Sequence, residues 1–158
     1  MTMTQTNVDE KIYYFAYGSN MNPERMAERG AHFTLRHKHT LRGYCLKFNK
    51  ISSQRPGTGC ANIVPDENGY VEGVVYKITV RGLYNLDKFE GYPDHYDRVR
   101  LILDLNGFEE TVKTYMALPD KIGEGLRPSK SYLEHLLKAK DYMSAEYYSY
   151  LQNIKTFD

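Results

Sequence analysis

Short apolar runs separated by turn signals organise the first part of the chain. Residues 12–17 are apolar without a break and stop at Gly18, and a run of this length and composition predicts a buried strand rather than a helix. Asn22 followed by Pro23 is typical of a helix start, so we expect a short helix over residues 23–29. The pattern therefore predicts a strand, a sharp turn and a helix in immediate succession.

The central part alternates between strand-forming and turn-forming composition. Residues 32–48 predict one or two strands with an interruption at residues 37–40. Residues 50–59 are rich in Ser, Pro and Gly, which predicts a loop, and we expect it to be a mobile flap. Residues 60–64 and 70–80 predict a β-hairpin, because an Asn-Gly pair lies between them.

A helical period marks residues 81–90. Leu83, Leu86 and Glu90 follow the spacing i, i+3 and i+7, so a carboxylate shares one helix face with two leucines. Gly91 comes directly afterwards and predicts the end of the helix.

The last part of the chain contains a second hairpin signal and two helix-start signals. Residues 96–105 and 109–118 flank an Asn-Gly pair and predict a second hairpin. Ser129 and Ser144 are the expected N-caps of two closing helices. Strands and helices in this mixture, with no internal repeat or linker, predict an α+β fold.

Length and composition fit one domain. The chain has 158 residues, of which 41% are hydrophobic and 26% are charged, as in an ordinary globular domain. We expect residues 11–158 to form that domain and the polar residues 1–10 to be a flexible N-terminal lead-in. Fifteen tyrosines and no tryptophan indicate that phenol rings fill core and pocket positions that indoles occupy elsewhere.

Charge and cysteine content narrow the range of partners. Twenty-one Lys and Arg against twenty Asp and Glu give a net charge of +1, so we expect neither nucleic acid nor a membrane as a partner. Cys45 and Cys60 have no CxxC spacing, and the N-terminus has no signal-peptide pattern. We therefore expect reduced thiols, no metal site and a cytoplasmic location.

The turn after the first strand is the first candidate for chemistry. Tyr17, Gly18, Ser19 and Asn20 lie between a predicted strand and a predicted helix. A glycine in such a turn lets backbone N–H groups point into a cavity, where they suit a carboxylate or a developing oxyanion. An ordinary strand-to-helix turn is the alternative, and the P-loop and dinucleotide-binding patterns are absent.

Glu90 is the second candidate. It lies on the leucine face of its predicted helix and at the helix C-terminus, and both desolvation and the helix dipole raise the pKa of a carboxylate there. Such a group suits general acid and base catalysis at neutral pH. A solvated surface glutamate is the alternative.

Histidine and serine chemistry has weaker support. The five histidines show no HExxH or triad-like spacing. Ser19 does not lie in a G-x-S-x-G pattern, so a serine hydrolase would need a histidine partner that the sequence does not indicate.

Two segments resemble a known family. The run from Tyr14 to Met21, which contains Tyr-Gly-Ser-Asn, resembles the YGSN signature of the γ-glutamylcyclotransferase (AIG2-like) family. The run from Leu86 to Pro93 resembles the family's LDxxEGYP segment, and residues 71–76 and 114–116 resemble its neighbouring strands. The resemblance covers about residues 12–156, with Met21 where the family usually has Leu.

The resemblance implies a fold, a site and an activity. The fold would be a small mixed β-barrel with flanking helices, and the site would need no cofactor. Glu90 would be the acid and base, and the substrate would contact the residues Tyr17, Gly18, Ser19, Asn20, Met21 and Tyr115. The implied partner is a small γ-glutamyl compound, and a homodimer is left open.

The implied reaction is the cyclisation of a γ-glutamyl amide to 5-oxoproline, with release of an amine or amino acid. The substrate's own α-amine attacks the γ-carbonyl, so the protein needs no Ser or Cys nucleophile. Two alternatives stay open: a non-catalytic ligand-binding or regulatory module on the same fold, and a hydrolase that uses Ser19.

Overall fold

A computed structural model describes residues 7–158 of the protein. Of the predicted lead-in at residues 1–10, residues 1–6 lie outside the described part. Within the remainder, the carbonyls of Val8 and Glu10 accept hydrogen bonds from the backbone of Arg81 and Val80. These contacts tie residues 8–10 to the start of a helix.

Five strands form one mixed sheet in the order β2-β3-β1-β5-β4. Strand β1 is antiparallel to β3 and parallel to β5. The sheet is curled without being strictly closed, which confirms the predicted α+β class and its barrel-like form. The strands are β1 (Lys11–Ala16), β2 (Phe33–Ile51), β3 (Gly59–Thr79), β4 (Tyr96–Leu105) and β5 (Phe108–Ala117).

Four α-helices begin at side-chain N-caps. The helices are α1 (Pro23–Glu28), α2 (Val80–Glu90), α3 (Lys130–Leu137) and α4 (Ala145–Gln152). Asn22, Thr79, Ser129 and Ser144 each accept a hydrogen bond from the backbone of the first turn. The structure therefore confirms the helix start predicted at Pro23 and the N-caps predicted at Ser129 and Ser144. No helix in residues 7–158 is long and apolar enough to cross a membrane.

The hairpin predicted around residues 65–69 is wrong, because β3 continues through this segment. Pro65 pairs with Tyr44 of β2, and Tyr70 pairs with Arg42. The residues between Pro65 and Tyr70 therefore leave the ladder opposite Gly43 and rejoin it in the same direction. The Asn-Gly signal marks a local excursion, and the pairing with β2 on both sides sets the course of the chain.

The break predicted at residues 37–40 is also wrong. These residues pair without interruption with residues 72–75 of β3. The second predicted hairpin is confirmed, since β4 and β5 pair along their whole length. Asn106 and Gly107 connect them with φ values of 54° and 89°, which a tight hairpin turn requires.

Buried side chains cover both faces of the central strands. Phe15 of β1, Val75 and Tyr76 of β3, and Val112 of β5 are fully buried. Leu86 of α2 is also fully buried against this sheet. Helix α2 is therefore held close to the end of β1, where the Tyr-Gly-Ser-Asn turn begins.

Candidate active site

The turn after β1 is compact and buried. Ser19, Asn20 and Met21 form one 3₁₀ turn, in which the N–H of Met21 donates to the carbonyl of Gly18 over 3.0 Å. A Cβ atom at Gly18 would lie only 2.9 Å from the Cβ of Ala61. Glycine is needed here because β3 passes too close for a side chain.

Glu90 is the last residue of α2 and points at this turn. Gly91 follows in the left-handed conformation at φ 69°, so the helix ends there as predicted. The Oε1 atom of Glu90 accepts a hydrogen bond of 3.1 Å from Nδ2 of Asn20. Arg29 lies against both residues, with Nη1 3.0 Å from Asn20 Oδ1 and 3.4 Å from Glu90 Oε1.

Burial and the neighbouring donors have opposite effects on the pKa of Glu90. The side chain is only 16% exposed, and burial raises the pKa of the carboxyl above its ordinary value. Arg29, Arg25, the Asn20 hydrogen bond and Lys50 oppose the rise. A carboxylate with a raised pKa beside hydrogen-bond donors suits a group that takes up and returns a proton.

Tyrosines surround a small inner cavity of about 20 Å³ between this turn and Glu90. Burial raises the pKa of each of these phenols, so they remain protonated donors at neutral pH. The cavity is lined by Tyr14, Tyr17, Gly18, Ser19, Asn20, Ala61, Glu90, Tyr96, Tyr115 and Tyr132.

The phenols differ in the partners that they have. Tyr17 donates to the carbonyl of Tyr115 over 2.6 Å, and the Tyr115 hydroxyl donates to Asp87 over 2.7 Å. Tyr14 instead accepts from Nδ2 of Asn20 over 2.9 Å. Its own hydroxyl proton is therefore available to a ligand.

An ion pair between Asp87 and Arg98 attaches α2 to the sheet. Asp87 accepts hydrogen bonds from Arg98 of β4 and from Tyr115 of β5. Asp87 lies one helical turn before Glu90. The pair therefore holds the carboxylate-bearing end of α2 against the sheet.

A larger outer cavity of about 690 Å³ adjoins the inner one. The two cavities share the lining residues Ser19, Glu90, Tyr96 and Tyr132. The loop between β2 and β3, predicted as a mobile flap, forms part of the outer wall through Ser52, Ser53, Gln54, Arg55 and Thr58. Its mobility stays a prediction.

The structure brings most of the predicted site residues to one cavity. Glu90, Tyr17, Gly18, Ser19, Asn20 and Tyr115 line the inner cavity. Met21 does not: its side chain is fully buried outside the lining, and its carbonyl accepts from Tyr76. The N–H of Met21 closes the 3₁₀ turn by donating to the carbonyl of Gly18.

Sequence analysis missed several lining residues. Tyr14, Tyr96 and Tyr132 belong to three separate elements. Arg25 belongs to α1, Arg29 directly follows that helix, and Lys50 belongs to β2. These residues share no regular spacing in the sequence that would identify them as one site. The surplus of tyrosine over tryptophan was the one signal that pointed to phenols in a pocket.

The histidines of the outer cavity contact residues other than Ser19. Of the two histidines in the outer cavity, His135 contacts Asn22 and Arg25, and His95 contacts Lys50. Neither hydrogen-bonds to Ser19. No group of three or more potential metal ligands occurs in the described part of the chain.

The arrangement provides one proton carrier and several donors around a small space. Glu90 can exchange a proton with a ligand. The N–H groups of Ser19 and Asn20 have no protein acceptor in residues 7–158, and together with the Tyr14 hydroxyl they can bind an anion or an oxyanion.

Comparisons with known proteins agree with this arrangement. No curated protein matches the chain significantly. Among solved structures, a protein described as gamma-glutamyl cyclotransferase is 29% identical with a TM-score of 0.81, over 94% of this chain and 90% of that one. An uncharacterized protein from Homo sapiens is 30% identical with a TM-score of 0.80, over 94% and 90%.

A third structure, YkqA from Bacillus subtilis, is 25% identical with a TM-score of 0.79, over 93% of this chain and 56% of that one. The family model "Gamma-glutamyl cyclotransferase, AIG2-like" matches residues 14–143. This range contains both the turn after β1 and Glu90. The chain therefore belongs to the AIG2-like gamma-glutamyl cyclotransferase family.

Proposed function

We propose that the protein is a cofactor-independent γ-glutamylcyclotransferase that converts a γ-glutamyl amide into 5-oxoproline and releases an amine or amino acid. One observation carries the proposal: the desolvated Glu90 carboxylate is hydrogen-bonded to Asn20 of a glycine-containing turn, in a shared cavity. The family membership supports the same activity. The two free cysteines fit a reducing compartment, which supports a cytoplasmic location.

The reaction balances without a co-reactant. The α-nitrogen of the glutamyl group forms a bond to its own γ-carbon, and the bond from that carbon to the departing nitrogen breaks. One proton leaves the α-nitrogen and one joins the departing nitrogen, so no water, oxidant or reductant is consumed. Such a tethered attack can supply roughly 7–11 kcal/mol of the barrier when the substrate is well oriented.

Glu90 carries the proton in this mechanism. It accepts a proton from the attacking α-nitrogen and returns a proton to the departing nitrogen. The raised pKa caused by burial suits both steps, because it brings the affinity of the carboxyl for a proton nearer to neutral pH. The hydrogen bond from Asn20 keeps the carboxyl oriented towards the junction of the two cavities.

The turn after β1 and Tyr14 stabilise charge. The N–H groups of Ser19 and Asn20 and the Tyr14 hydroxyl are donors that have no acceptor within residues 7–158. Each can donate to the substrate's α-carboxylate or to the oxyanion that develops on the γ-carbonyl oxygen. Donors fixed by the fold need no reorganisation during the reaction, which is the basis of oxyanion stabilisation.

Product identity tests the proposal. We expect incubation with γ-glutamyl amides to release 5-oxoproline, detected by mass spectrometry. Free glutamate would instead indicate the Ser19 hydrolase. Binding without any product would indicate a non-catalytic ligand-binding or regulatory module.

A further inference from the structure

The side-chain amide of Asn20 lies between three polar groups of the candidate active site. Its Oδ1 atom lies 3.0 Å from Nη1 of Arg29. Its Nδ2 atom donates to the Tyr14 hydroxyl over 2.9 Å and to Oε1 of Glu90 over 3.1 Å. Asn20 is only 3% exposed, so solvent has little access to these contacts. One buried amide is therefore shared by a cation, a carboxylate and a phenol.

The direction of these hydrogen bonds depends on the orientation of the amide. An asparagine side chain carries one acceptor oxygen and one donor nitrogen at nearly equivalent positions, and a rotation of the amide by about 180° exchanges them. A guanidinium group has donors and no acceptor, so Arg29 selects the orientation in which Oδ1 faces it. The nitrogen of Asn20 then faces Tyr14 and Glu90.

The reversed amide would bind the protons that the reaction needs. Its oxygen would occupy the position of the nitrogen, within hydrogen-bond distance of Tyr14 and Glu90. Tyr14 would then donate to Asn20 and would no longer be a free donor. Glu90 would face an oxygen lone pair, which favours a protonated carboxyl that also donates to the amide. The observed orientation avoids both losses.

Contacts with α2 hold Arg29 in place. The residue follows α1 directly, and the carbonyl of the next residue, Gly30, accepts a hydrogen bond of 2.9 Å from Asn85 of α2. The guanidinium carbon lies 4.9 Å from the centre of the Phe89 ring, and Nη1 lies 3.4 Å from Oε1 of Glu90. The Arg29 side chain is only 11% exposed. The cation is therefore fixed relative to the helix that carries the carboxylate.

We propose that Arg29 is a positioning residue that fixes the amide of Asn20 and so keeps the hydroxyl proton of Tyr14 free for the substrate. The same orientation supplies Glu90 with a donor. This role differs from that of a counter-charge to Glu90, because it acts through a neutral amide and reaches Tyr14. It rests on the proposed function and adds how the donors of that site are kept available.

A double-mutant cycle tests this role on the reaction. Arg29→Met keeps an apolar stem but has no donor for Asn20. We expect it to lower kcat for 5-oxoproline release by about 10²-fold. Tyr14→Phe should lower kcat by about 10²-fold in the wild type but by less than about threefold in Arg29→Met, because the Tyr14 proton is there already bound by Asn20.

The cycle has a matched control and a contradicting outcome. The control is Arg42→Met, an exposed arginine of β2, in which Tyr14→Phe should cost as much as in the wild type. Equal losses in the wild type and in Arg29→Met, including no loss in either, would overturn the positioning role and leave Arg29 as a counter-charge. A cost that falls in both arginine variants would overturn it as well, because the coupling would not be specific to Arg29.

Raman spectroscopy tests the orientation of the amide without any turnover. The intensity ratio of the tyrosine Fermi doublet differs between a phenol that accepts a hydrogen bond and one that donates. The difference between the spectra with and without the Tyr14→Phe change isolates the doublet of Tyr14. We expect the ratio of an acceptor in the wild type and a shift towards that of a donor in Arg29→Met. An unchanged ratio in folded Arg29→Met would overturn the positioning role.

The two measurements separate a failure of this role from a failure of the proposed function. If no γ-glutamyl amide yields 5-oxoproline, the proposed function fails, and the Raman ratio still decides whether Arg29 orients the amide. If 5-oxoproline forms and the losses are equal, only the positioning role fails. If Arg29→Met does not fold, the wild-type ratio remains a test, because a Tyr14 that acts as a donor there would contradict the orientation of Asn20.

Discussion

Glu90 is buried at the end of α2, where its carboxylate contacts Asn20 and Arg29. Glu90→Gln keeps the size and the hydrogen-bonding capacity of the side chain but cannot transfer a proton. We therefore expect 5-oxoproline formation to fall by roughly 10²–10⁴-fold, measured by product release under saturating substrate. Glu109→Gln, an exposed glutamate of β5, is the matched control. Normal turnover in folded Glu90→Gln would assign proton transfer to another group.

The pKa of Glu90 also predicts the direction in which Glu90→Gln changes the stability of the protein. Burial raises the folded-state pKa of Glu90, so ionisation is less favourable in the folded chain than in the unfolded one. The contribution of Glu90 to stability is thus present at low pH and is lost as the pH rises through the folded pKa. A neutral glutamine avoids that loss, and we expect a melting temperature at neutral pH equal to or slightly above that of the wild type.

Tyr14 is, with Tyr132, one of the two inner-cavity phenols whose hydroxyl proton has no acceptor within residues 7–158. If this proton stabilises the oxyanion, Tyr14→Phe should lower kcat by about 10²-fold. The control is Tyr13→Phe, the neighbouring residue on β1, which lies outside both cavities. Wild-type turnover in folded Tyr14→Phe would assign the oxyanion to the backbone N–H groups or to the Tyr132 hydroxyl.

Helix α2 depends on Asp87 for its attachment to the sheet. Asp87→Ala would leave the Arg98 guanidinium and the Tyr115 hydroxyl without their acceptor in a partly buried place. We expect the free energy of unfolding to fall by about 2–4 kcal/mol, as measured by denaturant titration. Asp97→Ala, an exposed acid of β4, should change it little. A similar loss in both variants would contradict an anchoring role for Asp87.

Elements with strong local signals could be predicted from the sequence. The N-caps Ser129 and Ser144 and the Asn-Gly turn between β4 and β5 act within a few residues, so their effects are visible locally. The Asn-Gly pair before Tyr70 misled the prediction because its outcome depends on β2, which pairs with β3 on both sides of the excursion. Local turn preference was overridden by long-range pairing.

The candidate site was predictable to the extent that its residues are close in sequence. The turn at residues 17–20 and the helix ending at Glu90 each have a recognisable pattern. The meeting of Lys50, Arg25 and Tyr132 at one cavity depends on the curl of the sheet and the packing of α1 and α3. The local sequence around each of these residues therefore does not predict that they line the same cavity.

The molecule as a whole should be less stable in mild acid because burial lowers the pKa of three histidines, His39, His95 and His135. Lys50 donates to Nδ1 of His95 and Arg25 donates to Nε2 of His135, since neither cation can accept a hydrogen bond. Burial, with these cations, lowers the pKa of both imidazoles. Their contribution to stability is present above the unfolded-state pKa and is lost as the pH falls through the folded-state pKa.

We therefore expect the free energy of unfolding to decrease between about pH 7.5 and about pH 5.5. Glu90 contributes in the opposite direction, so the same titration should be run in Glu90→Gln, where the decrease should be at least as large. His135→Gln should flatten the dependence, and His32→Gln, an exposed histidine, should not. A pH dependence that His135→Gln leaves intact would contradict this origin.

The tyrosine lining of the inner cavity also affects the near-ultraviolet absorption and the intrinsic fluorescence of the protein. The chain has fifteen tyrosines and no tryptophan, and five of the tyrosines surround the inner cavity. Near-ultraviolet absorption and intrinsic fluorescence therefore arise mainly from phenols, a third of which lie around one small space. A ligand that enters this space alters the spectrum of the native protein without any label, and a single engineered tryptophan would emit against a background free of other indoles.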